Sequence, residues 1–129
     1  MEFNSHFDDG VYGIEAIFDF HDCDVSKFTA EDLTNFVNQI IEIAGMEAHG
    51  DPMIWEDHNA QELHLQGTSV FQWIKTSNIV IHTLTLTKLV LLNLFSCKPF
   101  DAQKVREFGE NFFKAGRVST TIVIRGEPE

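Results

Sequence analysis

The chain reads as an α+β protein: a two-layer sandwich in which two helices cover one face of a mainly antiparallel sheet. Three observations predict this. Several short segments alternate apolar and polar residues with period two, the mark of half-buried strands. Two other segments repeat apolar residues at helical spacing behind good capping residues. The order strand, helix, several strands, helix, strand is most simply satisfied by placing both helices on one side of the sheet. A length of 129 residues fits one domain, residues 1–129, with a modest core.

The elements follow in order. Residues Gly13 to Phe20 put Ile14, Ala16, Phe18 and Phe20 on one side and Glu15 and Asp19 on the other, giving a strand. A loop through His21-Asp22-Cys23-Asp24 leads to Thr29-Ala30-Glu31-Asp32, a helix start with a hydroxyl cap and acids near the positive end of the dipole. Leu33, Phe36, Val37, Ile40, Ile41 and Ala44 form the apolar stripe, and Gly45 suits the C-terminal cap. Residues 46–58 hold a second strand, made irregular by Gly50, Asp51 and Pro52. Residues 62–75 suggest one or two strands interrupted near Gly67.

From His82 to Lys88 leucines alternate with threonines, so His82 is expected to share a face with Leu84 and Leu86. Leu89 to Phe95 continues as a strand after a tight turn. Asp101 caps a second helix whose stripe is Val105, Phe108 and Phe112, with Gly116 ending it, and Val118 to Arg125 is the last strand. The other face of such a sheet needs cover. A homodimer is therefore expected, and twelve phenylalanines in so short a chain fit that.

Composition narrows the function. No apolar run reaches the ~20 residues of a membrane span. The start, Met1-Glu2-Phe3-Asn4, lacks the basic stretch and apolar core of a signal peptide, so the expectation is a cytoplasmic protein with no membrane contact. A net charge of −11, from 20 acids against 9 bases with no Lys/Arg cluster, argues against nucleic acid and favours a cationic small molecule. Cys23 and Cys97 are too few for a zinc finger or a disulfide framework. His21-Asp22-Cys23-Asp24, with His49, Asp57 and His58 further on, has irregular spacing and no paired ligand motif, so no metal is expected. Trp55 and Trp73 suit either purine stacking or a place in the core or a dimer interface.

Four residues, Ser69, Ser77, His82 and Cys97, are candidates for chemistry, in the roles that the resemblance given next implies. A serine that cuts its own chain attacks the preceding carbonyl, and it needs a constrained backbone, polar groups for the oxyanion and a proton acceptor. Ser77 after Thr76 supplies the hydroxyl, His82 an acceptor and Ser69 a second hydroxyl. A ketone left by such a cleavage would act as an electron sink, and Cys97 is the candidate to return a proton.

The stretch Gly67-Thr68-Ser69, Thr76-Ser77-Asn78-Ile79-Val80-Ile81-His82-Thr83 and Phe95-Ser96-Cys97 resembles the prokaryotic S-adenosylmethionine decarboxylases. That resemblance implies a pyruvoyl group formed from Ser77 by cleavage between Thr76 and Ser77. It assigns processing to Ser69 and His82 and proton donation to Cys97. It also implies S-adenosylmethionine as substrate and a role in polyamine (spermidine) synthesis. The match departs from the family at three places: Thr76 stands for Glu, Asn78 for a second histidine, and Leu84-Thr85-Leu86 for Trp-Pro-Glu. The last departure opens a rival in which a basic amino acid, arginine or ornithine, is decarboxylated. A third reading is a non-catalytic paralogue acting as a binding or regulatory partner. Ser77 and His82 are five positions apart, so a regular strand points them to opposite faces and a bend or bulge between them is expected.

Overall fold

The computed structural model describes residues 12–58 and 61–126. The chain start, read above as lacking a leader, lies outside the described residues. Six strands form one sheet in the order β2-β3-β4-β5-β1-β6, each antiparallel to its neighbours. They are β1 (Gly13–His21), β2 (Met53–Asp57), β3 (Gly67–Ile74), β4 (Ser77–Leu84), β5 (Leu89–Ser96) and β6 (Arg117–Arg125). Helices α1 (Ala30–Ile43) and α2 (Ala102–Phe113) pack on one face, as the sequence predicts.

Local chemistry sets the helix ends. The Thr29 hydroxyl accepts the Asp32 amide at 3.1 Å, and the Asp101 carboxylate accepts the Lys104 amide at 3.2 Å. Gly45 takes φ 68° just past α1, where a side chain is disfavoured. The second helix stops earlier than Gly116 suggests: Lys114 turns left-handed at φ 50° and closes it.

The core lies between the helices and one sheet face. Phe18, Phe20, Leu33, Phe36, Ile40, Ile79, Ile81, Leu92, Leu94 and Phe113 are fully buried there, and each such side chain stabilises by about 1.5–3 kcal/mol on burial. Phe36 is the hub, with ring centroids 5.5, 5.1 and 4.8 Å from Phe108, Phe112 and Phe113. On α2 the fully buried aromatic is Phe113, while Phe108 and Phe112 are half-buried. Gly109 lets the helix settle on Phe20, whose ring would stand 2.4 Å from a Cβ at that position.

Three expectations change. The second strand is short, Met53–Asp57, and a single 3-10 turn (Leu63–Leu65) precedes a β3 that begins at Gly67. β4 runs to Leu84, which shares the face of His82 as expected, but the alternation beyond it does not extend the strand. The chain turns through residues 85–88, Lys88 adopts φ 53°, and the Thr85 amide is held by the Gln66 carbonyl at 3.1 Å. Leu86 therefore lies in a turn and shares no strand face with His82.

The segment His21–Asp24 is occupied with local structure. The Cys23 thiol donates to the Phe20 carbonyl at 3.3 Å, and burial, with the Asp22 charge second, pushes its pKa up to about 11. Asp24 caps a 3-10 turn (Val25–Lys27), and hydrogen bonds from the Ser26 hydroxyl and amide hold its pKa below the ordinary carboxylate value.

The sheet's other face carries Ser69, Phe71, Trp73, Val80, His82, Leu91 and Phe95, and neither helix covers it. Trp55 is 70% exposed and Trp73 54%, so neither fills the core.

Candidate active site

The β3–β4 hairpin positions the first group. Ile74 pairs with Ser77, which leaves Lys75 and Thr76 as a two-residue loop. Thr76 has φ 66°. This is a left-handed conformation that a β-branched residue rarely adopts, at a cost of about 1–3 kcal/mol. Ser77 follows directly and is 6% exposed. Its hydroxyl oxygen accepts the Cys97 amide at 3.2 Å and lies 3.9 Å from the Cys97 sulfur, to which it donates. The Thr76 hydroxyl is within hydrogen-bond reach of both the Cys97 sulfur and the Lys75 carbonyl. A cavity of about 430 Å³ opens beside them, bounded by His49, Trp73, Asn78 and Phe95. Three of these are residues of the uncovered face or its rim, so the hairpin tip is reached from that side.

The β3–β4 ladder builds the second group. Ser69 stands opposite His82, and its hydroxyl lies 2.7 Å from His82 Nδ1 on the uncovered face. The strands meet closely here because Gly67 has no side chain: a Cβ would stand 1.7 Å from the Thr83 carbonyl oxygen. The Thr83 hydroxyl locks the approach, donating to the Thr68 carbonyl at 2.8 Å and accepting the Thr68 amide at 3.0 Å. A cavity of about 380 Å³ flanks the pair, lined by Trp55, Leu65, Leu84 and Leu91.

The two groups do not meet within one chain. Pairing of β4 is continuous on both sides, from Ser77 to His82 against β3 and from Asn78 to Leu84 against β5. The bend or bulge expected between Ser77 and His82 is absent, because a strand held by two ladders has no unpaired residue to insert. Ser77 sits on the helix side with Ile79 and Ile81, and His82 faces the other way. Five residue steps of extended chain separate them, roughly 17 Å. Thr76, Ser77 and Cys97 thus gather at one end of the sheet, and Ser69 and His82 toward the other.

Sequence reading missed a third feature. Glu15 on β1 accepts Arg125 Nη1 at 3.0 Å and Asn93 Nδ2 at 3.0 Å, and the Arg125 guanidinium lies 5.7 Å from the Phe95 ring centroid. These residues share a second cavity of about 380 Å³ with Asn78. Only the acid on the polar side of β1 hinted at it. Leu84-Thr85-Leu86 lies at the opposite end of β4 from Ser77, and Leu86 is 62% exposed.

No curated protein sequence matches this chain. The fold is shared with the crystal structure of the adenosylmethionine decarboxylase from Aquifex aeolicus VF5, at a TM-score of 0.76 and 16% identity, over 92% of this chain and 94% of that one. The family model for S-adenosylmethionine decarboxylase matches residues 14–126, spanning every strand and both helices save one residue of β1, and the chain belongs to that family.

Proposed function

We propose that this chain is a self-processing, pyruvoyl-dependent decarboxylase acting on S-adenosylmethionine in polyamine (spermidine) synthesis. The observation that carries the reading is the seat of Ser77. Its hydroxyl follows a left-handed Thr76 in a two-residue loop and is held by the Cys97 amide beside an open cavity.

The chain's own atoms suit the cleavage. Ser77 Oγ attacks the Thr76 carbonyl carbon; a C–O ester bond forms, the C–N bond between Thr76 and Ser77 breaks, and the hydroxyl proton ends on the Ser77 nitrogen. Removal of the Ser77 α-proton expels the Thr76 carboxylate, and water releases the dehydroalanine nitrogen as ammonia. The pyruvoyl group so formed supplies an electron sink for loss of carbon dioxide from an amine substrate. Cys97 Sγ, 3.9 Å from Ser77 Oγ, holds a proton where the reacting carbon must regain one.

Ser69 and His82 join this site from a second copy of the chain. Two uncovered faces packed about 10 Å apart, around a two-fold axis lying across the strands, bring the hairpin end of one sheet over the far end of the other. The partner subunit's His82 then stands over the hairpin end that carries the bond between Thr76 and Ser77, and each dimer has two sites. The exposed Trp55 and Trp73 on the uncovered face support this packing, as does the lack of any path between Ser77 and His82 within one chain.

A specific observation favours a second substrate. Leu84-Thr85-Leu86 offers no carboxylate to ribose hydroxyls, which suits arginine or ornithine. Intact mass tests the processing: fragments 1–76 and 77–129 are expected, and a persistently full-length chain removes the enzymatic claim. Carbon dioxide release from S-adenosylmethionine, arginine and ornithine then separates the substrates.

A further inference from the structure

The Thr76 side chain has a role that reading Ser77 as nucleophile leaves unassigned. A hydroxyl has one proton to give and lone pairs to receive. The Thr76 hydroxyl faces two partners, the Lys75 carbonyl, which only accepts, and the Cys97 sulfur, which gives or accepts. With its proton on the carbonyl, Thr76 Oγ1 takes the Cys97 S–H. That orientation turns the sulfur's lone pairs toward Ser77, whose hydroxyl donates to them.

Cys97 lies one residue past the end of β5, where the strand ladder no longer fixes it. The Ser96 hydroxyl, bonded to the Lys98 carbonyl at 2.6 Å and the Lys98 amide at 2.9 Å, closes the backbone around it; contacts with Thr76 and Ser77 place its side chain, and its amide holds the Ser77 hydroxyl at 3.2 Å. The turn itself argues against Thr76 as a mere loop former. At φ 66° glycine or asparagine is the favoured residue, and a β-branched one is opposed by sterics. The two hydrogen bonds offset that opposition.

We infer that Thr76 is a positioning residue of the cleavage site: its hydroxyl clamps the Cys97 thiol against the scissile hairpin and so sets the Cys97 amide on the Ser77 hydroxyl. The clamp deepens the processing reading of Ser77 and rests on it for its purpose, though not for its geometry.

Three variants test it. Thr76→Val keeps the branched shape without the hydroxyl, Thr76→Gly suits the backbone without the hydroxyl, and Thr76→Ser keeps the hydroxyl alone. Self-cleavage followed by intact mass is expected to slow about 10- to 100-fold in Thr76→Val and Thr76→Gly, and to stay within about threefold in Thr76→Ser. Wild-type rates in the valine or glycine variant overturn the clamp. A second arm uses the uncleavable Ser77→Ala chain. There, alkylation of Cys97 by iodoacetamide, read by peptide mass, is expected to run several-fold faster with Thr76→Val than with Thr76 in place, and with Thr76→Ser to match the latter. Equal rates in all three overturn the clamp even if no chain ever cleaves, whereas absence of cleavage in the wild type removes the processing reading alone.

Discussion

The Cys97 amide donates to the Ser77 hydroxyl at 3.2 Å across a sequence separation of 20 residues. The contact comes from the backbone of Cys97, so its donor remains without the thiol, while the Thr76 hydroxyl that clamps the sulfur loses its hold. Cys97→Ala is therefore expected still to cleave itself, but about 10- to 100-fold more slowly, and to lose about 10²-fold or more in decarboxylation by the cleaved chain, the usual scale for one proton-transfer group. Fragment masses and carbon dioxide release, measured on the same preparation, check both halves. Abolished cleavage would show that the sulfur itself is needed for processing.

The proposed sharing of one site between two subunits makes a genetic-style prediction. Cys97→Ala and His82→Ala chains are each expected to be inactive as homodimers. Unfolded together and refolded as a mixture, they should regain about a quarter of wild-type activity, because half the dimers are mixed and one of their two sites is intact. No recovery in verified mixed dimers would place all the groups within one subunit.

The uncovered face is expected to hold that dimer. Trp55→Asp puts a charge where 70% of the ring is exposed in the single chain, so its monomer should remain folded. Sedimentation is expected to show a shift from dimer to monomer, with circular dichroism unchanged. A dimer as tight as wild type would move the interface elsewhere.

Gly109→Ala opposes two effects. Alanine favours a helix over glycine by about 1 kcal/mol. Its Cβ, however, would meet the Phe20 ring at 2.4 Å, and such overpacking costs about 1–3 kcal/mol. Net destabilisation is expected in urea titration, against the helix-propensity ranking.

Cys23 links stability to alkaline pH. Its folded pKa is raised to about 11 from an ordinary 9.0, so its contribution is complete below pH 9 and is lost as pH rises through 11. Wild-type stability is expected to fall across that window more steeply than that of Cys23→Ala. Parallel curves would show that the thiol does not titrate there.

Much of this was legible in local pattern. The period-two run of β1, the Thr29 and Asp101 caps and the stripe of α1 all depend on neighbours in sequence, and they fold as read. What escaped depends on distant neighbours. The leucine–threonine alternation runs past Leu84 without a break, and only the Gln66 carbonyl and the left-handed Lys88 mark the turn. The odd spacing of Ser77 and His82 is visible in the sequence and sets the two side chains on opposite faces of a regular strand. Its resolution, two faces rather than a bulge, required knowing that β4 is laddered on both sides. The Glu15–Arg125 pair spans 110 residues and leaves no trace in either segment alone.

The glycine of Gly67-Thr68-Ser69 acquires a meaning beyond flexibility. With the Thr83 oxygen 1.7 Å from where a methyl would go, any larger residue must wedge β3 away from β4. The first partners displaced would be the serine and imidazole two rungs along. A residue with no side chain and no reactivity therefore governs how far apart two reactive ones stand, much as the thickness of a shim governs the gap it fills.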